Sequence, residues 1–269
     1  MTTQHEKAQV FRELHHHGPI LVLPNAWDAA SARVFELAGA RAVATTSSGV
    51  AHALGYPDGE YVPRELLLAI VGRITASVDL PVTVDFVAGY GRTAAEVSGS
   101  VRHVIEAGAV GINLEDGTAE PEVLAEKIRA VRELDIPVFV NARTDWYLFA
   151  KGTPEERFTE TVRRARAYEA AGADGLFVPG LGDLPTITRL LGETRLPLNV
   201  MAGPGVPPVA ELERAGVRRV SIGGGGMCAV VGLTRRIAHG LLVDGTYDAF
   251  LAGSPTHREI DGMFKRGPS

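Results

Sequence analysis

The 269-residue chain contains a single cysteine, Cys228. It therefore cannot close an intrachain disulfide, and the expected compartment is a reducing one, the cytosol. Positive charge is also scarce, with 27 Lys and Arg against 32 Asp and Glu for a formal net charge of -5. Without a basic field to draw in phosphate backbones or anionic lipid, neither nucleic acid nor a membrane surface is expected as a partner. No basic start runs into an apolar signal core, and no apolar run of transmembrane length stands out. A polar low-complexity linker is missing too. The only shift in composition is a more polar tail after Gly253, so residues 1–253 are expected to form one domain and residues 254–269 a C-terminal tail. Finally, no glycine-rich dinucleotide fingerprint follows the first strand-like run. The turn there reads Pro24-Asn25-Ala26-Trp27-Asp28, which counts against a doubly wound nucleotide-binding sheet.

What the chain does have is core and repetition. Hydrophobic residues make up 45% and charged residues 22%, the balance of an ordinary globular protein. A short aliphatic or β-branched run, a polar or glycine-containing loop and an amphipathic stretch of helical period recur along it, the pattern of parallel strands joined by crossover helices. The runs are Ile20–Pro24, Ala42–Thr46, Val82–Asp85, Gly111–Glu115, Val138–Asn141, Gly175–Val178, Leu198–Met201 and Val220–Gly223. Helix starts are marked by the capping boxes Thr93-Ala-Ala-Glu96 and Thr153-Pro-Glu-Glu156. In the helix after the second box, Phe158, Val162, Ala165 and Tyr168 fall on one face. Helix ends are marked by glycine in Glu106-Ala-Gly-Ala109, Glu169-Ala-Ala-Gly-Ala173 and Glu213-Arg-Ala-Gly-Val217. Eight such units in a chain of this length predict a single-domain α/β (β/α)8 TIM barrel.

In that architecture the strand C-termini and the loops after them build the active site. This chain places Thr45-Thr46-Ser47-Ser48-Gly49, Asp85, Glu115-Asp116 and Asn141-Ala142-Arg143-Thr144-Asp145 there. Asp85 and Glu115, on neighbouring strands, would repel each other unless a hard cation such as Mg²⁺ neutralised them, and Asp58 in the loop after the second strand could reach the same ion through water. Equally, each acid could bond loop amides or pair with Arg143. Arg143 itself reads either as a bidentate clamp for a substrate carboxylate or as a salt bridge to Asp145 or Glu115. The Ser47-Ser48-Gly49 turn could offer amides to an oxyanion, or be an ordinary serine-rich loop. Gly223–Gly226, before the last apolar helix, suits either a phosphate held by backbone amides or tight helix packing. Cys228 reads as a packing residue. His15, His16 and His17 read as a solvated helix end, with metal binding as the alternative.

Pro24-Asn-Ala-Trp-Asp28, Ser48-Gly49, Tyr56-Pro-Asp58, Val84-Asp85 with Gly89-Tyr90-Gly91, Glu115-Asp116 and Asn141-Ala-Arg143-Thr-Asp145 occur in this order across almost the whole chain. The combination resembles the isocitrate lyase and phosphoenolpyruvate mutase superfamily. The resemblance implies a (β/α)8 barrel that assembles as a dimer or tetramer and swaps its C-terminal helical extension between subunits. It also implies Mg²⁺, with Mn²⁺ as a substitute, and a substrate in which a bond next to a 2-oxo acid or its enolate is made or broken. By that resemblance Asp85 is the direct metal ligand, Asp58 and Glu115 hold the metal's waters, Arg143 grips the substrate carboxylate, and Ser48 and Gly49 supply amides to its 2-oxo-carboxylate end.

Three departures narrow the expectation. The superfamily carries a second acid two residues after Asp85, where this chain has Val87, so the metal is expected to be weakened or lost. The Lys-Arg-Cys-Gly-His lid of isocitrate and methylisocitrate lyases is replaced by Gly117-Thr-Ala-Glu-Pro121, and the longer gating loop of the mutases and phosphonopyruvate hydrolases is absent. The expected activity is therefore that of a metal-assisted lyase or hydrolase acting on a small diacid or hydroxy acid, other than those lyases. The alternatives are a catalytically altered barrel that binds carboxylates, or a barrel enzyme that binds a phosphorylated ligand on its strand-8 glycines. The apolar residues Phe250, Leu251, Ile260, Met263 and Phe264 suggest either a homo-oligomer or a tail folded back on its own barrel.

Overall fold

The structure is a computed structural model that describes residues 3–265. Nine short strands, all parallel, form one sheet: β1 (Leu21–Leu23), β2 (Asn25–Ala26), β3 (Val43–Thr45), β4 (Val82–Asp85), β5 (Gly111–Glu115), β6 (Phe139–Arg143), β7 (Gly175–Phe177), β8 (Leu198–Met201) and β9 (Arg219–Ser221). The hydrogen-bonded order is β1-β9-β8-β7-β6-β5-β4-β3-β2. Its two ends, β1 and β2, are halves of one strand on either side of Pro24, so the sheet closes on itself as the eight-unit barrel expected from the repeats. The strand boundaries match the sequence reading to within a residue or two. At β6 the strand continues past Asn141 because Ala142 and Arg143 pair with Leu114 and Glu115 on one side and with Leu176 and Phe177 on the other. Arg143 is thus a strand residue held from both flanks.

Proline explains how the closing strand divides. Pro24 has no N–H to give to a ladder. Before it, Leu21–Leu23 pair with β9; after it, Asn25 and Ala26 pair with β3. The gap left on the β9 side is bridged by a side chain. Asn25 Oδ1 accepts from the backbone N–H groups of Ile222 and Gly223 at 2.9 and 3.0 Å, and its Nδ2 donates to the Thr45 carbonyl at 2.8 Å.

Helices cover the outside: α1 (Gln4–His16), α2 (Ala29–Leu37), α3 (Ser47–Ala53), α4 (Arg64–Ser77), α5 (Ala94–Glu106), α6 (Pro121–Arg132), α7 (Pro154–Ala171), α8 (Leu184–Leu191), α9 (Val209–Ala215) and α10 (Gly225–His239). Both capping boxes form, and α5 and α7 begin where the boxes place them. Gly172 and Gly216 cap α7 and α9 in the left-handed region at φ 98° and 102°, where a Cβ would be strained. Phe158, Val162, Ala165 and Tyr168 turn one buried face of α7 to the sheet. The main core lies between sheet and helices, with Val84, Ile112, Leu114, Val140 and Leu176 meeting Val97, Val101, Leu124, Ile128 and Tyr168. A smaller cluster of Phe11, Leu21, Leu23, Ala42, Ala44 and Phe139 closes the N-terminal end of the barrel beneath α1.

Four expectations change. His15 is not part of a solvated helix end: it is 1% exposed, stacks on Phe139 at 4.0 Å between ring centres, and its Nδ1 lies 2.7 Å from the Phe11 carbonyl. Only His16 and His17 are exposed. Cys228 is exposed rather than packed, because no residue of α10 is buried within this chain. Together with the π-helical turn Gly240–Asp244, α10 forms a 20-residue segment long and apolar enough, by length and composition alone, to cross a membrane. It nevertheless carries Arg235 and Arg236 near its middle, which a bilayer core penalises. The tail is divided: α12 (His257–Phe264) folds back on α2, where Arg33 Nε donates to the Met263 carbonyl at 2.6 Å, whereas α11 (Asp248–Leu251) lies against α10; neither helix has a buried residue. Residues 266–269 of the tail lie outside the described residues.

Two outcomes are expected. Asn25→Ala leaves two backbone amides without their acceptor and should cost about 1–3 kcal/mol for each amide that water does not reach, read as a lower urea midpoint. Burial, reinforced by the nearby charge of Arg219, holds the His15 imidazole down at about 3 from its ordinary 6.5. The unfolded chain therefore takes up this proton near pH 6.5 and the folded chain only near pH 3, so stability falls as pH drops through that window, by up to about 1.4 kcal/mol per pH unit. His15→Phe keeps the stacking and removes the titration. Its unfolding free energy should decline less steeply than that of the wild type between pH 6.5 and 4; parallel declines would contradict the assignment.

Candidate active site

At the C-terminal mouth of the barrel, a cavity of about 190 Å³ is lined by residues from all eight units, among them Asn25, Ser48, Asp58, Asp85, Asn113, Arg143, Phe177, Met201 and Ser221. Its centre is the Arg143 guanidinium. Nη1 meets Glu115 Oε2 at 2.7 Å and lies 4.0 Å from Asp85 Oδ1, while Nε donates to Asp145 Oδ1 at 2.6 Å. The register makes this contact unavoidable, since Glu115 on β5 is the direct partner of Arg143 on β6. The Phe177 ring lies 5.7 Å from the guanidinium carbon. None of these bonds uses Nη2.

Electrostatics bind the cluster together. Burial pushes the Glu115 carboxyl up to about 8, with Arg143 opposing the rise and Asp85 and Asp145 adding to it. Burial also raises Asp145 against the pull of Arg143. Arg143 itself is held firmly cationic: burial works against its charge, and Glu115, Asp85 and Asp145 more than offset that. Asp85 is fixed on three sides. Its Oδ2 accepts from the Ser47 N–H at 3.1 Å, its Oδ1 from Asn113 Nδ2 at 3.3 Å, and its own N–H donates to Thr45 Oγ1 at 2.9 Å.

Among the expected site residues, Ser48, Asp58, Asp85 and Arg143 line the cavity, whereas Glu115 and Gly49 are not among its lining residues. Of the two readings of Arg143, the structure shows the salt bridge to both Glu115 and Asp145. Asp58 is exposed at the rim; its loop is tied down where Glu60 accepts the Tyr90 N–H at 2.6 Å. Ser48 faces the cavity, its Oγ 3.1 Å from Thr46 Oγ1. The Gly49 N–H is already given to Thr46 Oγ1 at 3.3 Å as the cap of α3, so it is not offered to a substrate. Of the glycines after β9, Gly223 gives its N–H to Asn25 and Gly225 gives its own to the Ile222 carbonyl at 3.0 Å, so neither of these two is offered to a phosphate. Gly224 is there for space, since a Cβ would come within 2.5 Å of Ser48 Oγ.

Asp116, adjacent to Glu115, points the other way. Its buried Oδ2 accepts from Arg164 Nη1 at 2.7 Å and from the Tyr168 hydroxyl at 2.6 Å. Its Oδ1 accepts the Asp145 N–H at 3.2 Å, so this buried group on the helix side sets where Asp145 grips Arg143. Asn25, Asn113, Asn141, Asn199 and Ser221 escaped the sequence reading as interior residues. A signal was present: asparagine is a poor strand former, yet it stands within three of the eight apolar runs and directly after the first.

A magnesium ion can be tested against this donor set. Among the described residues, no group of three or more His, Cys, Asp or Glu side chains is arranged to hold a metal. Val87 is buried and sits at φ 51°, a left-handed conformation that β-branched residues avoid and that Asp or Asn adopts more readily. Its backbone thus retains a shape suited to the acid that the resemblance implies, without the acid's oxygens. The residues fit an ion that keeps most of its water shell and takes one direct carboxylate, Asp85.

The chain is thus a parallel (β/α)8 barrel with an arginine–carboxylate cluster at its mouth. This chain belongs to the phosphoenolpyruvate phosphomutase family, whose profile matches residues 11–242, within the isocitrate lyase and phosphoenolpyruvate mutase superfamily. It is 38% identical over 217 residues to an uncharacterised protein of Mycobacterium tuberculosis, covering 79% of this chain and 81% of that one. It is 30% identical over 195 residues to an oxaloacetate decarboxylase of Rhodopseudomonas palustris, covering 68% of this chain and 65% of the relative. A solved structure from Burkholderia cenocepacia J2315, provisionally described as a lyase/mutase, superposes with a TM-score of 0.90 at 34% identity, covering 98% of this chain and 97% of the other. Other curated relatives are named 2-methylisocitrate lyase or oxaloacetate decarboxylase, and the matching family profile is that of a mutase.

The Asp116 network yields a stability test. Arg164→Ala would strand a buried carboxylate and should cost about 3–5 kcal/mol, whereas Tyr168→Phe, which removes one hydrogen bond of several, should cost about 1–2 kcal/mol. Chemical denaturation measures both, and equal losses would argue against the ion pair as the organising contact.

Proposed function

We propose that the chain is a metal-assisted carbon–carbon lyase that breaks the bond next to the 2-oxo or enolate carbon of a small diacid or hydroxy acid, in the cytosol. The observation that carries this reading is the Arg143 guanidinium beside Asp85 in one small polar cavity at the barrel mouth. The cavity suits an acid of a few carbons, and the similarity to an oxaloacetate decarboxylase points to the same chemical class.

Asp85 would hold Mg²⁺ directly and Asp58 and Glu115 through water, with Mn²⁺ able to take its place. When bound, the ion supplies positive charge opposite the oxygen on which charge develops as the bond breaks. The chain's own groups do the rest. Arg143 Nη2, which none of the ion pairs uses, takes a substrate carboxylate oxygen. The Ser48 hydroxyl lies within the cavity for a second polar contact. Leu148, Phe177 and Pro179 shield the far side from water. The loop after β5 turns directly into α6 at Pro121, and Leu148 from the loop after β6 lines the cavity.

Val87 favours a second reading, a barrel that binds carboxylates without metal or turnover. Calorimetry separates the two. Under the lyase reading, Mn²⁺ binds in the micromolar to millimolar range and strengthens oxalate binding, and Asp85→Ala abolishes both metal binding and turnover of oxaloacetate-type diacids. A fully active Asp85→Ala protein refutes the reading. Val87→Asp should tighten Mn²⁺ at least about tenfold, which corresponds to about 1.4 kcal/mol. Its cost in stability should be small, because aspartate accepts this backbone conformation more readily than valine.

The assembly is proposed to be a homodimer or tetramer built on α10, whose exposed Val230, Val231 and Leu233 need cover.

A further inference from the structure

Beneath the cavity, inside the barrel, lies a charge that the proposed mechanism does not use. Arg219 on β9 is 1% exposed. Its Nη2 donates to Asn113 Oδ1 at 3.3 Å, while Nε and Nη1 have no partner among the described residues. A buried guanidinium without a carboxylate on it is expensive, and a leucine or methionine would fill the same interior at far lower cost. Ser221, two residues further along the strand and on the same face, lines the cavity, so Arg219 sits one side-chain layer below the site floor.

A single amide connects that layer to the site. Asn113 Oδ1 accepts from Arg219 Nη2 and also from Asn141 Nδ2 at 2.9 Å. Two donors on its oxygen fix which way the amide faces, and its Nδ2 must then point at Asp85 Oδ1, 3.3 Å away. Asp85 is also the one acid whose charge supports the Arg219 cation. Burial brings the guanidinium down to about 9, with Asp85 opposing, so it remains charged at neutral pH. His15, below it, is kept neutral, so Arg219 carries the positive charge at this level. At the mouth, among the described residues, Arg143 is the one cation paired with Asp85, Glu115 and Asp145. Arg219 adds a positive charge beneath them, in the same direction as the replacement of an acid by Val87.

We propose that Arg219 is a specificity-determining residue of the site: its buried charge, relayed through Asn113 to Asp85, raises the affinity of the cavity for a dianionic substrate and lowers it for a cation. This rests on the reading that the cavity takes a small carboxylate.

The test uses oxalate and Mn²⁺ as probes on the full chain. Arg219→Met removes the charge and the bond, Arg219→Gln removes the charge but can still bond Asn113, and Arg219→Lys keeps the charge. Oxalate affinity at saturating Mn²⁺ should fall at least about tenfold in the Met and Gln variants, the effect of one unit charge separated from the site by a single amide. Their affinity for Mn²⁺ alone should stay level or rise. Arg219→Lys should remain within a few-fold of the wild type for both probes. Loss of both affinities together, unchanged oxalate binding, a Lys variant as weak as Met, or neutral variants that fail to fold would each overturn the proposal by assigning Arg219 to packing. A wild-type protein that does not bind oxalate would overturn the carboxylate reading itself, a distinguishable outcome.

Discussion

The barrel mouth depends on one guanidinium held among carboxylates. Glu115, Asp85 and Asp145 come from separate segments, and at this degree of burial their mutual repulsion would drive protons onto them or the loops apart. Arg143 opposes that outcome by bonding two of them and standing beside the third, although burial still raises Glu115 and Asp145. Because it lies on a strand paired on both sides, the cation cannot drift away from them. The cavity exists where it does because this cluster is fixed.

That cluster is supported from both sides of the sheet. Outside the barrel, Asp116 joins α7 to the Asp145 backbone through Arg164 and Tyr168. Inside it, Asn25, Asn113, Asn141, Asn199 and Arg219 make a polar layer where most barrels pack aliphatic side chains. A buried polar network specifies one arrangement when its members satisfy each other, and an unmatched donor is costly. Most of these amides are matched, and Asn25 also replaces the backbone bonds that Pro24 denies to the closing strand. The unmatched donors are concentrated on Arg219, which is why this residue stands out from the rest of the interior.

Much of the fold was readable in the residue order. The eight apolar runs became eight strand positions, and the boxes at Thr93 and Thr153 started helices where they stood, because capping and strand periodicity are local effects. The site residues were identifiable as strand-end polar groups for the same reason. Misreadings arose where a contact crosses the chain. His15 is buried because α1 folds across the barrel end and places it on Phe139, more than 120 residues away. Gly49 and Gly223 looked like free amide donors until Thr46 and Asn25 were found to occupy them. Cys228 looked packed because its neighbours are apolar, yet α10 leaves the barrel and buries none of them.

The sequence by itself determined the architecture and the types of group at the barrel mouth: alternating elements of set period, acids and an arginine at strand ends, and a valine two residues after Asp85. Those are properties of residue type and spacing, which the chain carries whether or not it is folded. Only the tertiary structure decided how the charges pair. Whether Arg143 waits for a substrate or already holds Glu115 and Asp145, whether Asp116 serves the site or the helix behind it, and whether Arg219 has a carboxylate of its own all depend on which strands lie side by side and in what register. Coulomb forces act over ångströms in space, and neighbours in space are set by packing.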